Sequence, residues 1–339
     1  MNKPLLAILG PTASGKSNLA LQLAKRFEGE IVSCDSVQVY RYLDIGTSKV
    51  PPQEQAGIRH HLMDFLSPEQ EFTAGQYMSE GRKVLADIKR RGHLPLVVGG
   101  TGLYFRALFN GLFDGPSRSN ALRKRFYQQA KHRGSTYLHR LLQRVDPVSS
   151  RRISPRDHPK IIRALEVFFL TSKPLSVHLQ VAPKGLQGFQ LLRVALNPPR
   201  PLLCERIDKR VDRMFSSGLI EEVQSILDKG ISPTCKPLQS LGYAQSIGYL
   251  QGSISLPRAV ASTKQATRQY AKRQMTWFRK EPGVCWFHGF GDDKRVELEI
   301  EANVARFIHL CSTQQSSDRD PSHIQVSSIS PESSNVDFQ

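Results

Sequence analysis

Gly10-Pro11-Thr12-Ala13-Ser14-Gly15-Lys16-Ser17 sets two glycines around a short loop and follows the second with lysine and serine. That is the spacing G-x-x-x-x-G-K-[ST] of a loop that wraps phosphate. Glycines let successive backbone N–H groups curl around phosphate oxygens, and a helix starting there adds partial positive charge. Lys16 reaches the phosphates, and the Ser17 hydroxyl can ligate magnesium. The loop does not say which phosphate compound is bound, because an ATP-dependent kinase carries the same one.

Three other segments hold candidate chemistry. Asp35-Ser36-Val37-Gln38-Val39-Tyr40 puts a carboxylate at the end of an apolar run. Asp35 reads as a general base, as a magnesium-side Asp after Ile31–Cys34, or as an ordinary turn residue, and the local sequence leaves all three open. Gly99-Gly100-Thr101-Gly102-Leu103-Tyr104 is a second glycine loop, where backbone can approach a ligand closely or simply enter a helix tightly. His60-His61 invites a metal reading, yet adjacent histidines point in different directions and no third ligand is spaced to join them, so a structural role is expected.

These residues need elements to position them. Leu5–Leu9 reads as a buried strand, and Leu19, Leu23, Ala24 and Phe27 recur at helical spacing after the loop. Glu30–Ser33 and Leu94–Val98 are two more short strands, each ending in a polar or glycine-rich turn. Leu191–Leu196 returns to the sheet before the turn Pro198-Pro199-Arg200-Pro201, and Val284–Phe287 is a last core strand. The fold expected is an α/β, P-loop NTPase-like parallel sheet with ligands at the carboxyl ends of its strands. Residues 1–113 form its first part and 114–190 a basic, helical insertion. Residues 191–311 complete the core with C-terminal helices, and 312–339, poor in apolar residues, form a disordered tail.

Composition bounds the partners. Lys and Arg outnumber Asp and Glu by 47 to 30 in 339 residues, a formal charge of +17 that favours a polyanion. The excess is clustered, since Arg118 to Arg163 holds thirteen basic residues against Asp146 and Asp157. A solvated helical face normally mixes its signs, so the segment reads as a nucleic-acid contact. In Ser262–Lys280, Lys264, Arg268, Lys272 and Arg279 share one helical stripe while Tyr270 and Trp277 share another, suited to backbone contact and to stacking or core packing. The five cysteines show no metal spacing and fit a reducing cytoplasm, and no run is long enough for export or a membrane span.

Together these blocks resemble the tRNA dimethylallyltransferases, or tRNA isopentenyltransferases. The resemblance rests on Gly10–Ser17, Asp35–Tyr40 with Gly46-Thr47, His60–Asp64, Gly99–Tyr104, Arg163-Ala164-Leu165-Glu166, Gly218–Glu222 and Arg268–Arg279. It implies transfer of a dimethylallyl group from dimethylallyl diphosphate to N6 of the adenosine beside the anticodon, position 37, with diphosphate leaving. It also implies a P-loop core whose helical insertion closes over tRNA, and a magnesium cofactor; a cytoplasmic monomer without membrane attachment is expected. By the same resemblance Asp35 takes the N6 proton and Thr101 places adenine and diphosphate. Asp35, Ser36, Val37, Gln38, Thr101 and Arg123 line the tRNA path, as do Pro159, Lys160, Ile161, Ile162 and Arg163. Lys272, Arg273, Gln274, Met275, Thr276, Trp277, Phe278 and Arg279 complete it. Pro159-Lys160 and Arg59 depart from the family pattern, and Lys160 meets a phosphate only as a point charge. A P-loop kinase, a nucleic-acid binder with a degenerate nucleotide site and a cytokinin-type isopentenyltransferase are the alternatives. The basic insertion and the Arg-rich C-terminal helix speak against the last.

Overall fold

The computed structural model describes residues 2–134 and 136–317. Its first part runs β1 (Lys3–Leu9), α1 (Lys16–Arg26), β2 (Gly29–Cys34), β3 (His60–His61), α2 (Ala74–Arg91), β4 (Leu94–Gly99) and α3 (Gly102–Asn110). Then come α4 (Asn120–Arg133), α5 (Tyr137–Val145), α6 (Pro147–Arg152), α7 (His158–Thr171) and α8 (Leu175–His178). The chain ends with β5 (Phe189–Leu196), α9 (Arg200–Ser216), α10 (Leu219–Asp228), α11 (Tyr243–Leu250), α12 (Leu256–Phe278), β6 (Val284–Phe287) and α13 (Lys294–Ser317).

All six strands pair in parallel, in the order β3-β2-β4-β1-β5-β6. Strands covered on both faces read as continuous apolar runs, as β1 does. Leu5, Ala7 and Leu9 belong to an apolar cluster with residues of α2, α3, α10 and α11 on one face; Leu6 and Ile8 belong to a second with α1 and α13 on the other. The helices that follow β1 and β4 therefore leave on opposite faces of neighbouring strands. That divergence opens a crevice at the carboxyl ends of β1 and β4, where open α/β sheets bind ligands.

Helices α4–α8 branch off between α3 and β5 around a core of their own, made of Phe126, Leu138, Leu142, Ile161, Ile162, Ala164 and Leu165. The five strands expected from sequence are present; the two-residue edge strand β3 is too short to leave a periodic signal. One boundary moves. Helix α13 runs to Ser317, into the segment expected to be a structureless tail, because extending a helix already anchored by Val296, Ile300 and Val304 costs little. The remainder of that segment, 318–339, lies outside the described residues.

Candidate active site

The phosphate loop joins β1 to α1, whose first turn holds no acidic residue and so leaves the helix N-terminus open to an anion. Gly15 sits at φ +85°, and a Cβ there would lie 2.8 Å from Asp292 Oδ1 and 2.9 Å from Gly291 N. The strap after β6 is thus packed directly on the loop, and Gly291 N donates to Ser14 O at 2.9 Å. Phe290 packs with Ala13, and Arg206 holds Asp292 at 2.6 Å. The loop is braced from outside while its inner face borders a cavity.

Lys16, Ser17, Asp35, Gln38, Thr47, Arg210, Tyr270 and Gln274 line that cavity's polar side, and Ala20, Ile31, Val50, Met63 and Val98 supply an apolar side. Lys16 Nζ donates to Pro11 O at 2.6 Å. Burial, then the neighbouring Arg210, pushes the Lys16 ammonium down to about 7, with Asp35 partly opposing them. Arg210, projecting from α9, donates to Thr47 O at 3.4 Å, while its buried Nε has no protein partner among the described residues. Two enclosed cations beside one carboxylate leave the cavity short of negative charge, and a diphosphate would supply it.

Of the three readings the sequence left open for Asp35, the turn residue is what the structure shows, and the same residue lines the cavity. Its Oδ1 accepts from Val37 N at 2.8 Å and Gln38 N at 3.2 Å, the bonds of a turn residue. The carboxylate nonetheless lines the cavity, so the turn fixes the orientation of a group that faces substrate space. Thr101 does not line the cavity. Its Oγ1 accepts from Ser36 N at 3.1 Å, its N–H donates to Cys34 O at 3.2 Å, and Tyr270 hydrogen-bonds to its side chain. It ties the ends of β2 and β4 together, which positions Asp35.

The loop carrying Gly46-Thr47 is held from α10. Glu222 accepts from the N–H groups of Asp44, Ile45 and Gly46 at 3.1, 2.7 and 3.4 Å, and from the Tyr243 hydroxyl at 2.6 Å. Thr47 O then accepts from both Gln38 and Arg210. Of the histidine pair, His61 serves structure, bonding buried Glu30 at 2.6 Å, whereas His60 lines the cavity.

A family model described as IPP transferase matches residues 38–281. The chain belongs to this family. It is 51% identical over 297 residues to the tRNA dimethylallyltransferase of Koribacter versatilis, covering 87% of this chain and 96% of that one. It is 46% identical over 306 residues to that of Solibacter usitatus, covering 90% and 99%. Among solved structures, a tRNA isopentenylpyrophosphate transferase from Bacillus halodurans aligns with TM-score 0.69 at 35% identity, over 93% of this chain and all of that one. A eukaryotic dimethylallyltransferase described as acting on tRNA aligns with TM-score 0.76 at 27% identity, over 95% and 82%. The chain is therefore a prenyltransferase by family.

The residues expected to meet RNA divide by exposure. Lys272, Arg273, Thr276 and Arg279 of the α12 segment and Pro159 and Lys160 at the start of α7 are exposed. Pro159 suits the first turn of α7, and Asp157 caps that helix while pairing with Lys160 at 2.5 Å. Ile161, Ile162 and Phe278 are fully buried, so their side chains are core and do not face RNA. Arg123 and Arg163 both bind Glu166, at 2.9 and 2.7 Å, and this buried carboxylate also accepts from Ser119 N. Lys264 and Arg268 are paired with Asp212 and Asp208 of α9. Part of each basic stripe is thus neutralised within the fold.

Arg210 is a site residue that motif reading does not find, whereas Tyr270, placed by the sequence on an aromatic stripe, lines the cavity. Arg210 lies in a helix of mixed charge, but it falls three residues after buried Ile207, on the side that also carries Leu203 and Val211. An arginine on the apolar face of an amphipathic helix is the available signal.

Proposed function

We propose that this chain transfers the dimethylallyl group of dimethylallyl diphosphate to N6 of adenosine 37 in tRNA, in the cytoplasm and as a monomer. The observation that carries this reading is the placement of Lys16, Arg210 and the N-terminus of α1 on the same cavity as the Asp35 carboxylate. Cations and backbone N–H groups hold the charge that develops as the allylic C1–O bond breaks. The adenine N6 lone pair forms the new bond to C1, its proton passes to Asp35, and diphosphate departs. The apolar wall of Ile31, Val50, Met63 and Val98 suits the prenyl tail. The adenine must leave its stack to reach so enclosed a site.

The donor set fits magnesium. One exposed hydroxyl at Ser17 beside a bound diphosphate is the sparse protein ligation that this ion takes when most of its shell is phosphate and water. When bound, magnesium would neutralise charge on the leaving diphosphate. Lys272, Arg273 and Arg279, exposed on one side of the cavity's covering helix, suit the RNA backbone. The test is incubation with dimethylallyl diphosphate and unmodified tRNA, followed by mass spectrometry of the RNA. A dimethylallyl adduct on adenosine 37 is expected; rapid ATP turnover with unmodified tRNA would favour the kinase instead.

A further inference from the structure

Helix α12 has two working sides. Its exposed side carries Lys272, Arg273, Thr276 and Arg279. Its inner side touches both glycine loops of the active site. Gln274, only 6% exposed, accepts from Thr12 N of the phosphate loop at 2.9 Å through Oε1 and donates to Gly100 O at 3.0 Å through Nε2. Three residues on, Trp277 lies over Gly102, where a Cβ would come within 2.2 Å of the indole. A Cβ at Gly100 would lie 1.9 Å from Gln274 Nε2.

Resting on the function proposed above, we infer that Gln274 is a positioning residue coupling the RNA surface to the phosphate loop. Each end of its amide is used once, one per loop. Its Oε1 fixes the entry of the phosphate loop, and two residues on Ser14 N–H is held by Pro11 O at 3.3 Å. A helix held in place by RNA on one side holds this amide in place on the other. Diphosphate then meets a loop whose ordering is already complete, and binds more tightly when tRNA is present. Linkage makes the effect reciprocal, so diphosphate tightens tRNA by the same factor.

The experiment titrates the full chain with inorganic diphosphate and magnesium, without and with saturating unmodified tRNA. The wild-type protein should bind diphosphate about tenfold more tightly with tRNA, within the roughly 5- to 150-fold range usual for coupled sites. Gln274→Leu removes both bonds from a residue that also lines the cavity, so it should weaken diphosphate binding alone and lose the enhancement by tRNA as well. Gln274→Glu nearly keeps shape and volume, retains the acceptor for Thr12 N and lacks the donor to Gly100 at neutral pH. It should lose most of the enhancement there and regain it as acid protonates the carboxyl. Lys272→Ala, by contrast, should weaken tRNA while keeping the factor at saturation. Enhancement of wild-type size in either Gln274 variant would overturn the inference, as would its absence from a wild-type protein that binds both ligands. A wild-type protein that fails to bind tRNA or diphosphate would instead overturn the function itself.

Discussion

Two neighbouring strands of this sheet, β1 and β4, end in glycine loops that look alike in sequence and border one cavity, yet the glycines make room for different neighbours. After β1, the space glycine leaves is filled from outside by the strap at Gly291 and Asp292, and the inner surface faces a cavity bordered by Lys16, Arg210 and Asp35. After β4, Gly100 and Gly102 make room for Gln274 and Trp277 of a helix. A glycine cluster therefore announces close approach without saying what approaches. The charges around the loop decide the matter: two enclosed cations mark an anion site, and a glutamine with a tryptophan marks a packed helix.

The comparison breaks most readily at the first loop. Lys16→Ala should lower transfer by at least about 10²-fold, since it removes a cation aimed at the leaving group. Asp35→Asn keeps the acceptor for Val37 and Gln38 but not the base, and should slow the chemical step by about 10²–10⁴-fold with tRNA affinity and melting temperature unchanged. Single-turnover rates set beside binding curves check both. A loss confined to affinity would make Asp35 a binding residue.

At the second loop the effect belongs to stability. Gly102→Ala drives a methyl against Trp277 and should cost about 1–3 kcal/mol, as overpacked sites do, in a denaturant titration. Adding Trp277→Leu should recover part of that loss. A neutral single variant would mean the loop has slack and is not shaped for the helix.

The first loop also carries a proton signature. With Lys16 lowered to about 7 in the free protein, diphosphate should restore its ammonium, so affinity is level below pH 7 and falls by up to about tenfold per unit above it. Lys16→Arg, which stays protonated, should remove that dependence. Folding follows the same sign: the folded state binds fewer protons than the unfolded one between about pH 7 and the ordinary lysine value of 10.5, so this group's contribution to stability rises across that window.

Smallest are the charge tests outside the cavity. Arg279→Ala should flatten the log–log salt dependence of tRNA binding by about 0.7–0.9, the share of one phosphate. Arg268→Ala should leave the slope alone, because Asp208 already neutralises that guanidinium at 2.7 Å. Equal slopes in the two variants would make the distinction between paired and free arginines on α12 irrelevant to RNA.

Much of this was legible in the chain. The phosphate loop, Asp35 and the core strands follow from spacing and apolar runs, because neighbouring residues fix local backbone. What escaped depends on partners distant in sequence. Nothing beside Arg268 announces an aspartate 60 positions earlier, and nothing beside Arg123 announces that Glu166 will claim it, so counting charges overstated both basic surfaces. Gln274 read as part of an RNA-facing stretch because its neighbours are basic, while the helical period turned it inward. Arg210 needed the burial of Ile207 and Val211 to show which way its helix faces.

The most direct test of the difference between the loops is to add inorganic diphosphate and magnesium to the tRNA-free protein and follow backbone amide resonances. The largest shifts should fall on Gly15, Lys16 and Ser17, with smaller ones at Gly99 and Gly100, which border the same cavity away from the helix N-terminus, and at Gly102 beneath Trp277. Dominant shifts at Gly99–Gly102 with Gly15–Ser17 silent would contradict the assignment of the first loop to the anion and the second to the helix.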